Sequence, residues 1–298
     1  MNTLTDKEYF AYPAISKSQL HAFDRDNPMA FWRGCKLNPE CEPVEENDAI
    51  ANGKLRHTLL LEPAKIETDV LIIEGGRGFS SRDTKAFKEV MASNPDKLVV
   101  TQAEFDLAKN QIETLTSYKI IKDIIKGATV EKAFFWKDEA TGFELKAKLD
   151  LIKRLKEGIL IIEYKTTGKA FSQVERGLDV MGWHWDAGMQ YKAVKAKYGE
   201  APFQMIFIVQ SQKEGEENKI RPFVVSENDL AYCAELVDKT LAEIKTRYNK
   251  WQDKNPDAWK TNIEFANFMG YMDSAFSFGF DKQMSMMNEQ QEADNGNQ

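Results

Sequence analysis

One nine-residue run constrains this chain more than any other: Ile159-Leu160-Ile161-Ile162-Glu163-Tyr164-Lys165-Thr166-Thr167, where four aliphatic residues lead straight into a carboxylate and an ammonium. It is strand-sized, far short of the roughly 18 apolar residues that a membrane span needs. Side chains alternate across a strand, so Glu163 and Lys165 point to one face with Ile159 and Ile161 behind them. Just upstream, Lys146-Ala147-Lys148-Leu149-Asp150 reads as a second strand, and the short turn between the two makes them antiparallel. Asp150 then approaches Glu163. Two hard oxygen ligands close together suit Mg²⁺, with Mn²⁺ as a substitute. A lysine beside them can orient or deprotonate a water, or stabilise charge on a phosphate.

The rest of the chain supplies a frame. Ser16 or Ser18 can cap a short helix bearing Leu20 and Phe23, and residues 38–47 read as a loop. Ile50, Leu55 and Leu59 suit a helix over 48–61, stopped by Pro63. Gly75-Gly76-Arg77-Gly78 breaks the pattern before a helix over 83–91. Thr101 and Glu104 form a capping box for a helix running to about residue 126. Strands are expected over 130–136, 143–152, 158–166, 204–209 and 219–225, with helices over 172–197 and from a Ser226 cap through Tyr248. These readings predict an α/β (α+β) fold, a mixed central sheet flanked by helices with a helical N-terminal region. The expected divisions are 1–126, mainly helical; 127–253, the α/β core; 254–281, a helical extension; and 282–298, a mobile polar tail.

Composition narrows the class. With 40 Lys+Arg against 47 Asp+Glu, the net charge is −7, which argues mildly against a protein that coats nucleic acid but permits an enzyme with a local basic cleft. Cys35, Cys41 and Cys233 show no zinc or cluster spacing. No export signal follows Met1, so a reduced cytoplasmic protein is the expectation, without a membrane role. There is no phosphate-binding loop of the Gly-x-x-x-x-Gly-Lys-Ser/Thr type, so ATP-driven translocation is not expected.

An Asp followed by Glu-x-Lys on an apolar strand resembles the PD-(D/E)XK nuclease superfamily. Four further segments, in order, resemble its exodeoxyribonuclease VIII (RecE-type) branch of phage recombination exonucleases, related to RecB-like and lambda-type exonucleases. They are Ile15-Ser16-Lys17-Ser18-Gln19-Leu20; Gly53 to Pro63 with His57 and Leu61-Glu62-Pro63; Val130 to Trp136 with Glu131, followed by Thr141-Gly142; and Gly182-Trp183-His184-Trp185 through Met189-Gln190-Tyr191. The resemblance implies a restriction-endonuclease-like core and a Mg²⁺-dependent exodeoxyribonuclease. It would act 5′-to-3′ on double-stranded DNA ends, as a trimeric or tetrameric ring, with a single-strand annealing partner.

In that reading Asp150, Glu163, His57 and Glu131 hold the metal, Lys165 acts on the water, and Gln190 and Tyr191 lie near the substrate phosphate. Arg77, Arg82, Lys85 and Lys148 are candidates for DNA contact, while His184, between two tryptophans, reads as packing. Glu163 stands where many relatives of this branch carry Asp, and no proline precedes Leu149-Asp150. A missing four-cysteine set excludes the iron–sulfur variant. A binding or assembly protein with an inactive site of the same fold, and an endonuclease or flap nuclease, remain open at this point.

Overall fold

The aliphatic run forms the middle strand of a five-stranded sheet, with both faces covered. Ile159 and Ile161 pack with Leu149, Phe171, Trp183, Ala187 and Phe207, while Leu160, Ile162 and Tyr164 pack with Leu61, Leu115, Ile121 and Ile208. A strand apolar on both faces needs helices on both sides of its sheet. The computed structural model describes residues 6–25, 27–42, 48–76, 78–79, 81–212 and 219–260.

The N-terminal elements are α1 (Asp6–Ala11), α2 (Lys17–Arg25), α3 (Pro28–Gly34), α4 (Asp48–Leu61), α5 (Ile66–Asp69), β1 (Val70–Ile73), α6 (Lys85–Ser93), β2 (Leu98–Thr101), α7 (Gln102–Ser117) and α8 (Lys119–Ile125). Next come β3 (Thr129–Lys137), β4 (Glu144–Arg154), β5 (Ile159–Thr167), α9 (Phe171–Val174), α10 (His184–Tyr198), β6 (Pro202–Ser211), β7 (Ile220–Ser226) and α11 (Glu227–Gln252). Strands β3 to β7 form a five-stranded sheet in sequence order, parallel between β5 and β6 and antiparallel elsewhere. This is the mixed sheet expected. The parallel pair requires a crossover, which α9 and α10 supply.

The expected boundaries fail at four places. The helix expected to run to residue 126 breaks at Tyr118, whose extended backbone caps α8. The helix expected over 172–197 is two pieces, because Gly177 and Gly182 take positive φ values of 144° and 71° in the segment between them. The N-terminal region also holds a parallel pair, β1 with β2, whose four-residue strands are too short to show a period. Beyond α11 the expected helical extension begins as turn, where Lys254 has φ 61° and Pro256 follows. Its remainder and the 282–298 tail lie outside the described residues. Among the described residues no helix is long and apolar enough to cross a membrane.

The pairing of β4 is what shapes the site. It runs the full length of β3, from Thr129↔Ile152 to Lys137↔Glu144, but meets β5 only from Leu151↔Ile162 to Arg154↔Ile159. Beyond Ile162 the two strands part. The N-terminal segment enters the gap: Ile15 N–H donates to the Glu144 carbonyl at 2.9 Å, and Lys146 N–H donates to the Ile15 carbonyl at 2.9 Å. Lys146 Nζ holds the same segment by donating to the Tyr9 and Tyr12 carbonyls, each at 2.8 Å.

Helix α10 is buried nearly all round and presses on α11 through Gly188. A β-carbon there would lie 2.4 Å from the Cys233 carbonyl oxygen. Gly188→Ala must therefore push the two helices apart, and a loss of about 1–3 kcal/mol is expected in denaturant unfolding. Gly53 is the control, since its β-carbon would meet nothing within 4 Å inside α4. Gly53→Ala should stabilise by about 0.5–1 kcal/mol through helix propensity. Equal stability of Gly188→Ala and the parent would contradict the close approach of α10 to α11.

Candidate active site

Where β4 and β5 part, the ladder needs a substitute acceptor, and Asp150 provides it: its Oδ2 accepts the Tyr164 N–H at 2.8 Å. This fixes the carboxylate beside the first residues of β5 that β4 no longer covers. Its other oxygen faces α4, with Oδ1 at 3.5 Å from His57 Nδ1. Glu131, on β3, stands opposite Asp150 in the strand register with a left-handed φ of 49°. Such a backbone in a glutamate is strained by roughly 1–3 kcal/mol, and strain of this kind clusters at functional sites. Its Oε2 pairs with Lys148 Nζ at 2.5 Å.

His57, Glu131 and Asp150 each bring a donor atom within 4.8 Å of the others. Donors bound to one ion lie at most about 4.2 Å apart, twice a bond of ~2.1 Å, so a slight contraction suffices. The two carboxylates suit Mg²⁺ or Mn²⁺, and the imidazole moves the preference toward Mn²⁺. Burial disfavours the His57 cation, but the Asp150 carboxylate outweighs it and its pKa lies above the ordinary value. Burial pushes the Glu131 carboxyl up against the opposing pull of Lys148.

Glu163 lies beside this trio, on the face of β5 that looks toward α10, and is 1% exposed. Both of its oxygens are engaged. Oε1 accepts from Lys165 Nζ at 2.8 Å and from Lys17 Nζ at 3.0 Å, and Oε2 accepts from Gln190 Nε2 at 2.6 Å. Asp186, one turn before Gln190 on α10, closes the group: its Oδ1 accepts from Lys165 Nζ at 2.6 Å and from Lys17 Nζ. Burial would raise the Glu163 pKa, yet Lys165 and Lys17 hold it well below the carboxylate range. Burial likewise opposes the Lys17 charge, and Asp186 with Glu163 raises its pKa well above the ordinary value. The depressed Glu163 pKa contributes stability present above pH 4.5 and lost on acidification. The raised Lys17 pKa contributes stability lost only above the ordinary lysine value, so neither Glu163 nor Lys17 changes charge near neutral pH.

Of the residues the sequence singled out, His57, Glu131, Lys148, Asp150, Glu163, Lys165 and Gln190 come together here. Glu163 differs from the expectation in that both its oxygens are already hydrogen-bonded, Oε1 to two lysines and Oε2 to Gln190. Tyr191 is turned away: it packs on the core that holds Trp183 and Phe207, with the Lys195 ammonium 5.9 Å from its ring centroid. Arg82 is also no surface cation. It is 7% exposed, lies 3.1 Å from Asp48 and 3.6 Å from Glu104, and donates to the Val99 carbonyl at 2.8 Å, tying α4, α7 and β2 together. Lys85 stands exposed on α6, 3.8 Å from Glu89, and Arg77 lies outside the described residues. His184 packs on Trp185 at 4.5 Å. Sequence reasoning missed Lys17 and Asp186. The Asp186–Gln190 spacing of four on one helix was the available signal for Asp186, and for Lys17 it was its place inside the Ile15–Leu20 segment.

Metal binding should raise the thermal midpoint, and the effect should vanish in Asp150→Asn, which keeps an acceptor for Tyr164 N–H but loses the charge. Because a bound cation must displace the His57 proton, Mn²⁺ affinity should climb with pH, approaching tenfold per unit, until the raised His57 pKa is passed. Calorimetric titration across pH 5.5–8.5, a range of about one unit below to two above the ordinary His value, reads this directly. A pH-independent affinity would exclude His57 as a ligand.

Comparison with known proteins agrees with this geometry. No curated protein matches the chain. Among solved structures, a protein described as "Putative exonuclease" from Eubacterium rectale superposes with a TM-score of 0.57 at 14% identity, covering 92% of this chain and 100% of that one. It shares the fold. SSO0001 matches at 15% identity over 65% of this chain and 76% of its own, with a TM-score of 0.28 too low to carry an argument. Residues 16–267, most of the chain, match the family described as a PDDEXK-like domain of unknown function (DUF3799), and the protein belongs to that family.

Proposed function

We propose that this protein is a divalent-metal-dependent exodeoxyribonuclease that digests duplex DNA from its ends, 5′-to-3′, leaving 3′ single strands for recombination. The observation that carries the nuclease reading is the placement of Asp150, Glu163 and Lys165 at one opening of the sheet, with His57 and Glu131 alongside. Membership of the PDDEXK-like family supports it, as does the exonuclease name carried by the structural neighbour. Action on ends, strand polarity, a trimeric or tetrameric ring and an annealing partner are supported by the motif resemblance to the RecE-type branch.

The chemistry follows from the groups present. Asp150, Glu131 and His57 would hold Mg²⁺, which supplies Lewis-acid stabilisation of phosphate charge and lowers the pKa of a bound water. Lys165, held between Glu163 and Asp186, acts as a hydrogen-bond donor that orients the attacking water or balances charge on the phosphate. Gln190 holds the Glu163 carboxylate in one rotamer through Oε2. None of these residues needs to move far to act, which is how pre-organised donors lower a barrier.

The test is digestion of linear duplex, with or without a 5′-phosphate, beside a covalently closed circle, in Mg²⁺ or EDTA. Loss of linear DNA alone, abolished by EDTA, is expected, with 5′-nucleotides released first. Lys165→Ala should slow digestion about 10²–10³-fold, the usual loss for a removed electrostatic donor. Cleavage of the circle would make the enzyme an endonuclease. Binding without digestion under any metal would sink the catalytic reading in favour of an assembly role.

A further inference from the structure

Lys17 is the feature of this site that the proposed chemistry leaves unused. It is the first residue of α2, and its backbone is fixed because Ile15 is hydrogen-bonded into the gap beside β4. Its ammonium reaches Glu163 Oε1 and Asp186 Oδ1, the same two oxygens that already bind Lys165. Two cations thus share two carboxylate oxygens. Lys17 is the more exposed of the pair, with 37% of its side chain accessible against 17% for Lys165.

Charge decides what this duplication does. Four carboxylates meet here: Glu131, Asp150, Glu163 and Asp186. A phosphodiester carries negative charge and cannot approach them unless cations face it. The metal supplies positive charge on the Asp150 side. Lys165 alone bridges Glu163 Oε1 and Asp186 Oδ1, so the second ammonium can leave without stripping either carboxylate of its partner. The partner free to leave is the one with the flexible, more exposed stem. Resting on the nuclease reading above, we infer that Lys17 is a substrate-phosphate ligand: its ammonium leaves the Glu163–Asp186 bridge and pairs with a phosphodiester oxygen of the bound strand. Asp186 is the positioning residue that keeps Lys165 in place when it does.

The experiment is fluorescence anisotropy of a labelled duplex oligonucleotide in Ca²⁺, over a salt series, with the full chain and with Lys17→Met and Lys17→Arg. Loss of one charged contact should weaken binding about tenfold. The slope of log affinity against log salt should become shallower by about 0.9, and Lys17→Arg should restore most of both. Mn²⁺ affinity without DNA should not fall, because Lys17 touches none of His57, Glu131 or Asp150 and its charge only opposes a cation beside Asp150. In steady-state digestion Lys17→Met should raise KM, whereas Asp186→Asn should lower kcat. A Lys17→Met protein that binds DNA with the parental affinity and salt slope overturns this inference while leaving the nuclease reading intact. A parent chain that neither binds nor digests DNA overturns both.

Discussion

The hydrogen bond from Tyr164 N–H to the Asp150 carboxylate is the interaction on which the rest of this site depends. Backbone donors inside a protein are almost always satisfied, and a strand that loses its neighbour must find another acceptor or fray. Here the ladder between β4 and β5 ends at Leu151↔Ile162, and a side chain takes over where a backbone carbonyl would have served. The substitution has three consequences. It lets the strands diverge, it aims one Asp150 oxygen at His57, and it opens beside β4 the slot that Ile15 fills. Lys17, two residues on, reaches the site because of that slot.

A buried group of charges at the end of such a strand is costly unless it is closed. Removing carboxylates and ammoniums from water costs several kcal/mol each, and only good geometry with full hydrogen bonding offsets it. The Glu163–Lys165–Asp186–Lys17 set meets both conditions: two positive and two negative groups, each touching both opposite partners. Gln190 satisfies the remaining Glu163 oxygen. The balance is specific to the closed arrangement, and a change in the ionic content of the site redistributes it.

The helices that carry these side chains are placed by packing of ordinary kind. Helix α10 brings Asp186 and Gln190 to Glu163 because Gly188 lets it approach the α11 backbone. Helix α4 brings His57 to Asp150 while Arg56, in the adjacent position, donates to Gln111 Oε1 at 2.8 Å. Gln111 in turn accepts at its carbonyl from Gln210, which also takes the Tyr164 hydroxyl hydrogen bond at 2.7 Å. The residue whose N–H positions Asp150 thus also anchors, through its hydroxyl, the side of the sheet on which His57 sits.

Much of this was legible in the sequence. Strand-forming runs punctuated by Gly turns located all five strands of the main sheet, and β5 was the clearest because a strand covered on both faces needs a continuous apolar run. Asp150, Glu163 and Lys165 were legible for the same reason: charge at the end of such a strand requires a cause. The breaks at Tyr118 and after α9, and the short β1–β2 pair, were not, since tertiary contacts override local propensity over a few residues. Neither were the burial of Arg82, the turn of Tyr191 away from the site or the arrival of Lys17. The sequence by itself determined which strand sets a carboxylate beside an ammonium and which residue types it offers. Only the tertiary structure decided which of them meet, because Lys17 and Glu163 lie 146 positions apart and are joined by the divergence of two strands that no local pattern encodes.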